Sequence, residues 1–137
     1  METITIEHDI KVFFVQATTF PEGVIGAYDK LHSLITDKSE RKYFGISHPN
    51  EKGVIIYKAA AEELEEGEAK KYGCDTFTIK KGNYIFIDIK NHMEDGANIG
   101  NAFHKLLKNP DIDPQGYCLE WYLNYTDPDV RCMVGLK

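Results

Sequence analysis

Ala27-Tyr28-Asp29-Lys30-Leu31 returns 75 residues later as Ala102-Phe103-His104-Lys105-Leu106. Each pentapeptide lies in a stretch with helical periodicity. In the first, Val24, Tyr28, Leu31 and Ile35 share a face, behind Pro21, which suits a first helical position, and Glu22, which favours the positive end of the helix dipole. In the second, Ile99, Ala102, Phe103 and Leu106 form the stripe, with Glu94 and Asp95 before it. Asn109-Pro110 ends it, because proline cannot continue the hydrogen-bond ladder. An apolar strand precedes each helix (Val12 to Val15; Tyr84 to Ile87). After each come a strand containing glycine or tyrosine, a polar turn with proline (Pro49; Pro128) and a final strand. The chain therefore reads as two copies of strand-helix-strand-strand, an α+β fold of duplicated βαββ units with antiparallel sheets and two main helices. One domain is expected over residues 1–137, with one repeat over about 9–60 and the other over about 76–136. A unit that covers one sheet face must pair with its twin to bury apolar area, and the seam between twins is a natural ligand cleft.

Strand-like runs surround the helices: Ile10 to Ala17, Val54 to Tyr57, Thr76 to Ile79, Tyr84 to Ile89, Cys118 to Asn124 and Val130 to Leu136. Ala59 to Lys71, AAAEELEEGEAKK, has two readings. Its composition favours a short helix, while the β-branched and aromatic residues before it favour a strand leading into an acidic loop, the preferred reading.

Composition narrows the function. The 42% of apolar residues and 12% of aromatics suffice for a core, which excludes a disordered chain. Sixteen Lys and Arg against 22 Asp and Glu leave a net charge of −6, the wrong sign for the basic footprint of a nucleic-acid binder. The apolar runs fall far short of the roughly 20 residues a membrane helix needs, and Glu2, Glu7 and Asp9 interrupt any signal-peptide core. Three cysteines without CxxC spacing suggest neither a disulfide framework nor a zinc site, so a reduced, cytoplasmic protein is expected. The five histidines lack HxH, HxxxH or HExxH spacing, and no Walker loop, GxGxxG or G-x-S-x-G occurs. No cofactor and no metal are expected.

Glu120 stands out. Along Tyr117 to Asn124, alternation puts Leu119, Trp121 and Leu123 on one face and Cys118, Glu120, Tyr122 and Asn124 on the other. In a one-sided sheet Glu120 would face water; facing a cleft, a desolvated carboxyl would attract a cation or act as a base. Phe14, Tyr28, Tyr43 and Tyr57 are first-half aromatics able to reach the seam, where a flat guest would stack on them, although Tyr28 suits core packing on its helix stripe. The 75-residue offset makes Gly45 the twin of Glu120 and puts Tyr43 on the same side, but the strands align almost as well at 74, and a one-residue slip reverses the face.

These pieces resemble the GyrI-like effector-binding domain, which is also joined to DNA-binding modules in AraC-type and BmrR-type regulators. The resemblance spans roughly Asp9 to Leu136 and rests on the doubled pattern, on Gly45-Ile46-Ser47-His48-Pro49 and on Glu120-Trp121-Tyr122-Leu123-Asn124. It implies a carboxylate, here Glu120, beneath an aromatic-lined cleft that takes cationic or flat lipophilic compounds. Two features depart from the family pattern: Tyr125-Thr126 intervenes before Asp127-Pro128, and Trp121 stands where an aliphatic residue is common. With no helix-turn-helix segment, a free-standing protein is expected. Some free-standing members resemble hydrolases of cyclopropane-bearing DNA alkylators. By that likeness Glu120 activates water, Tyr122, Tyr57 or Tyr43 donates to the developing oxyanion, and Trp121 and Phe14 hold the aromatic body. The rival is a binder of cationic or aromatic drugs, or a protein that blocks a target such as gyrase.

Overall fold

The computed structural model of the chain describes residues 2–36, 40–90, 97–122 and 129–137, without the side chain of Ala97. In chain order the elements are β1 (Glu2–Ile6), β2 (Ile10–Gln16), α1 (Val24–Leu34), β3 (Tyr43–Pro49), β4 (Ile55–Glu62), α2 (Glu68–Lys71), β5 (Asp75–Ile79), β6 (Gly82–Ile89), α3 (Ala97–Leu106), β7 (Cys118–Tyr122) and β8 (Val130–Gly135). The fold is α+β, and its strands form one antiparallel sheet in the order β1-β6-β8-β7-β3-β4-β2-β5. The antiparallel strands of both units form one continuous sheet, because β3 and β7 pair across the middle.

That central pair organises everything else. Gly45 lies directly opposite Glu120, so the two positions 75 residues apart sit on the axis relating β2-α1-β3-β4 to β6-α3-β7-β8. Outward from it come β4 and β8, then β2 and β6. The outermost strand on each side belongs to the other half: β5 pairs with β2, and β1 pairs with β6.

Both faces of the sheet are covered. In β2, Val12 and Phe13 are neighbours and so point to opposite faces, yet both are fully buried. One face curls on itself: Ile6 of β1 and Ile79 of β5, from opposite edges, join Val12, Phe44, Leu119 and Met133 in a single cluster. The other face carries two helical layers. Ala27 and Leu31 of α1 pack on Phe13, Tyr43, Ala59 and Ala61, while Ala102, Phe103 and Leu106 of α3 pack on Ile85, Val130, Cys132 and Val134. Between α1 and α3 lies the seam, floored by β3 and β7.

Several boundaries differ from the sequence reading. Ala59, Ala60 and Ala61 are strand: β4 runs through them, and all three are fully buried. Their small side chains let α1 approach on one face and the curled core close on the other, a tertiary demand that overrides helix propensity. The acidic run that follows contains the short helix α2. Pro21 lies in the turn before α1, which starts at Val24. The strand β1 was absent from the sequence reading. Glu94, Asp95, Leu123, Asn124 and the Tyr125–Pro128 segment fall outside the described residues.

Candidate functional site

Strand alternation puts Tyr43, Gly45 and Ser47 of β3 and Cys118, Glu120 and Tyr122 of β7 on the seam face, with Tyr57 of β4 beside them. Glu120 is 7% exposed and has no ion pair among the described residues. Instead, two phenols hold one carboxyl oxygen. Tyr57 donates to Oε1 at 3.0 Å, and Tyr122 donates to the same atom at 2.5 Å. The Tyr57 hydroxyl also meets that of Tyr28 at 2.9 Å, and Tyr28 in turn donates to the Phe44 carbonyl at 3.0 Å. The rings are as organised as the hydroxyls. Tyr28 meets Tyr57 and Tyr122 edge-on, at centroid distances of 6.1 and 6.0 Å, and Phe20 stacks on Tyr57 at 5.7 Å.

Burial sets the electrostatics. Desolvation raises the Glu120 carboxyl above the ordinary carboxylate range, and the hydrogen bonds from Tyr122 and Tyr57 offset it only in part. The phenols of Tyr28, Tyr57 and Tyr122 are pushed up by burial and then by the Glu120 charge. The same two influences lift the Cys118 thiol to about 11 and raise that of Cys132, so neither is a ready thiolate. The seam is thus an apolar, phenol-lined setting around one ionisable acid.

Local structure explains how the carboxyl is reached. A Cβ on Gly45 would lie inside the Tyr57 hydroxyl and 2.9 Å from Glu120 Oε1. Only glycine, opposite Glu120, leaves the space through which Tyr57 meets the acid. The site is also asymmetric. Tyr57 pairs with Ser47 and Val130 pairs with Tyr122, so each half supplies one tyrosine where its twin has a non-aromatic residue.

Of the residues singled out from sequence, Glu120, Tyr122 and Tyr57 come together. Tyr43 shares their face and sits opposite Tyr122, packed with α1. Phe14 and Trp121 lie on the other face, against the curled core, because β7 runs in unbroken register with β3 and no bulge turns Trp121 towards Glu120. Tyr28, which its stripe assigned to the core, is a member of the network. Phe20, 44% exposed over Tyr57, had no sequence signal beyond its place before the first helix.

Glu120 lines neither of two surface cavities, of about 460 and 410 Å³, which lie by Lys105 and Lys108 and by Trp121 and Arg131. Over Tyr57 lie two rings, Phe20 stacked and Tyr28 edge-on.

No protein family's sequence pattern matches the chain, and no curated protein matches it in sequence. Solved structures match in fold. An integron cassette protein from Vibrio cholerae superposes with a TM-score of 0.65 at 12% identity, covering 99% of this chain and 95% of that one. SAV2435, solved bound to tetraphenylphosphonium, gives 0.64 at 10% identity over 99% and 93%. A hydrolase from Listeria innocua gives 0.60 at 8% identity over 99% and 90%. At these identities the likeness is one of fold.

Proposed function

We propose that the chain is a single small-molecule-binding domain of the GyrI-like kind, cytoplasmic and protective, whose seam takes lipophilic aromatic cations with Glu120 as their counter-charge. The observation that carries this reading is a buried carboxyl held only by phenols, with no cation of the protein's own paired to it among the described residues. A guest cation ringed by aromatic groups would supply the missing charge and gain from the tyrosine faces as well. The fold neighbour bound to tetraphenylphosphonium supports the choice of ligand class.

Calorimetric titration with tetraphenylphosphonium, and with triphenylphosphine oxide as its neutral counterpart, tests the reading. Glu120→Gln should weaken the cation by roughly tenfold or more and leave the neutral compound nearly unchanged. Equal affinity of wild type and variant for the cation would overturn Glu120 as the counter-charge.

Turnover is the second reading, favoured by an acid and two phenolic donors within hydrogen-bond reach of one another. In it Glu120 activates a water against a strained cyclopropane, and Tyr57 or Tyr122 supports the developing oxyanion. Mass spectrometry of a cyclopropane-bearing indole alkylator should then show gain of one water, slowed about 10²- to 10⁴-fold in Glu120→Gln. Intact compound with wild type would leave binding as the function.

A further inference from the structure

Among the described residues, the four hydrogen bonds that link Phe44, Tyr28, Tyr57, Glu120 and Tyr122 exceed by one the protons of the three phenols. Tyr28 bonds the Phe44 carbonyl, Tyr28 meets Tyr57, Tyr57 meets Glu120, and Tyr122 meets Glu120. Each tyrosine brings a single proton. With Glu120 ionised, Tyr57 and Tyr122 both donate to the carboxylate, and Tyr28 must choose between the Phe44 carbonyl and the Tyr57 oxygen. A proton on Glu120 completes the set. The acid then donates to Tyr57, Tyr57 to Tyr28 and Tyr28 to the Phe44 carbonyl, while Tyr122 donates to the acid.

We propose that Glu120 carries this fourth proton while the seam is empty and releases it to solvent when a cation binds, so that the site exchanges a proton for a cation. The balance is simple: neutral acid plus cation gives a carboxylate–cation pair and one free proton, and the charge of the site is unchanged. A neutral aromatic guest leaves the proton in place. This rests on the binding reading above and adds its regulation: cation affinity rises with pH until the acid is ionised in the empty site, and affinity for neutral guests does not.

Among the described residues, only the phenols of Tyr57 and Tyr122 hold the carboxylate when no cation is bound. The titratable groups facing Glu120 are Tyr28 from α1, Tyr57 from β4, Cys118 and Tyr122 from β7 and Cys132 from β8. β3 presents Gly45 and Ser47, and the buried residues of α3 are Ala102, Phe103 and Leu106. Among the described residues, those facing groups include no lysine, arginine or histidine.

Two measurements decide the matter. In ligand-free protein labelled with ¹³C at the glutamate carboxyl, the resonance absent from Glu120→Gln should keep the shift of an acid after the exposed glutamates have ionised. Tyr28→Phe, which does not touch the carboxyl, should lower the pH at which that resonance moves. Without Tyr28 the Tyr57 proton has no acceptor in the acid form but keeps one in the carboxylate form. An unchanged midpoint in Tyr28→Phe, or a carboxylate shift in the wild type, overturns the proposal whatever binds. At a pH where the resonance is that of an acid, tetraphenylphosphonium titrated in phosphate and in Tris should show release of about one proton per cation from the difference in heats. Triphenylphosphine oxide should show none. Cation binding without proton release overturns the exchange and leaves the binding reading intact, whereas no binding of either compound removes the binding reading and the exchange with it.

Discussion

At the scale of single residues, the buried Glu120 carboxyl makes stability depend on pH. The Glu120 acid is raised by burial above its value in an unfolded chain. The folded state therefore holds the proton more tightly, and stability falls as pH rises from the ordinary carboxylate range towards the raised value. Glu120→Gln removes that loss while keeping the shape. Its thermal midpoint should exceed that of the wild type by a few degrees at pH 7, on the order of what 1 kcal/mol gives in a domain of this size, and should match it at pH 4. Melting curves at the two pH values check this, and a lower midpoint at pH 7 would mean that the phenols favour the carboxylate. Gly45 makes the converse case. Alanine there overlaps the Tyr57 hydroxyl and should lower stability by about 1–3 kcal/mol in urea denaturation while separating Tyr57 from Glu120. Glu120 and Tyr122 were legible as a pair because alternation alone puts residues two apart on one face. The 75-residue offset made Gly45 the twin of Glu120, but that the two face each other across β3 and β7 is a long-range pairing the offset does not encode. Tyr57 and Tyr28 reach the acid through strand register and helix placement, which no local pattern encodes.

At the scale of elements, β4 and α2 show what sequence pattern leaves open. The run Ala59-Ala60-Ala61 has helical propensity but sits in the middle of the sheet, where small residues are needed on both faces. The acidic run is not simply a solvated surface either. Glu68 is buried, accepts from the Leu64 and Glu65 amides and pairs with both terminal nitrogens of Arg41 at 3.2 and 3.1 Å. Arg41 also donates to the Glu62 carbonyl, so one guanidinium ties α2 and the end of β4 to the entry of β3. Burial would raise the Glu68 acid, but the hydrogen bond from Arg41, then the two amides and the Arg41 charge, outweigh it and hold the carboxyl below its usual range. Such a group contributes stability above its unfolded value and loses it as pH falls through the folded one. Arg41→Ala strands the buried charge and should cost about 3–5 kcal/mol at pH 7. The gap from the wild type should shrink in acid, once Glu68 is neutral. Denaturation from pH 7 down to pH 2 measures both, and a gap independent of pH would assign the loss to packing on Phe13, over which Arg41 lies at 5.8 Å. A partnership between positions 41 and 68 depends on the turn after β4, and neither residue advertises it.

At the scale of the whole molecule, the duplicated pattern was legible because helices and their flanking strands are local. The lacing of the halves was not, because it is a long-range pairing. β1 precedes β2 in the chain yet lies against β6, with Ile4 opposite Tyr84 and Ile6 opposite Gly82. β5 precedes β6 yet lies against β2, with Ile10 opposite Ile79. The curled core needs both exchanges, since Ile6 and Ile79 close one cluster from its two edges. Neither half can complete its sheet from its own strands, and each, taken alone, would expose the β3 or β7 edge along with an unpaired β2 or β6. A chain cut at Gly73, in the turn between α2 and β5, should therefore yield two fragments that are each largely unfolded by circular dichroism and amide NMR. Mixed at equal concentration, they should regain the spectrum of the intact protein, with a midpoint that depends on concentration because association replaces a covalent link. A first fragment that folds alone would show that β2-α1-β3-β4 carries its own core, and the seam holding Glu120 would then be an interface between two finished domains. Folding only on mixing would make the floor beneath Glu120 a product of the lacing, present only when both halves are.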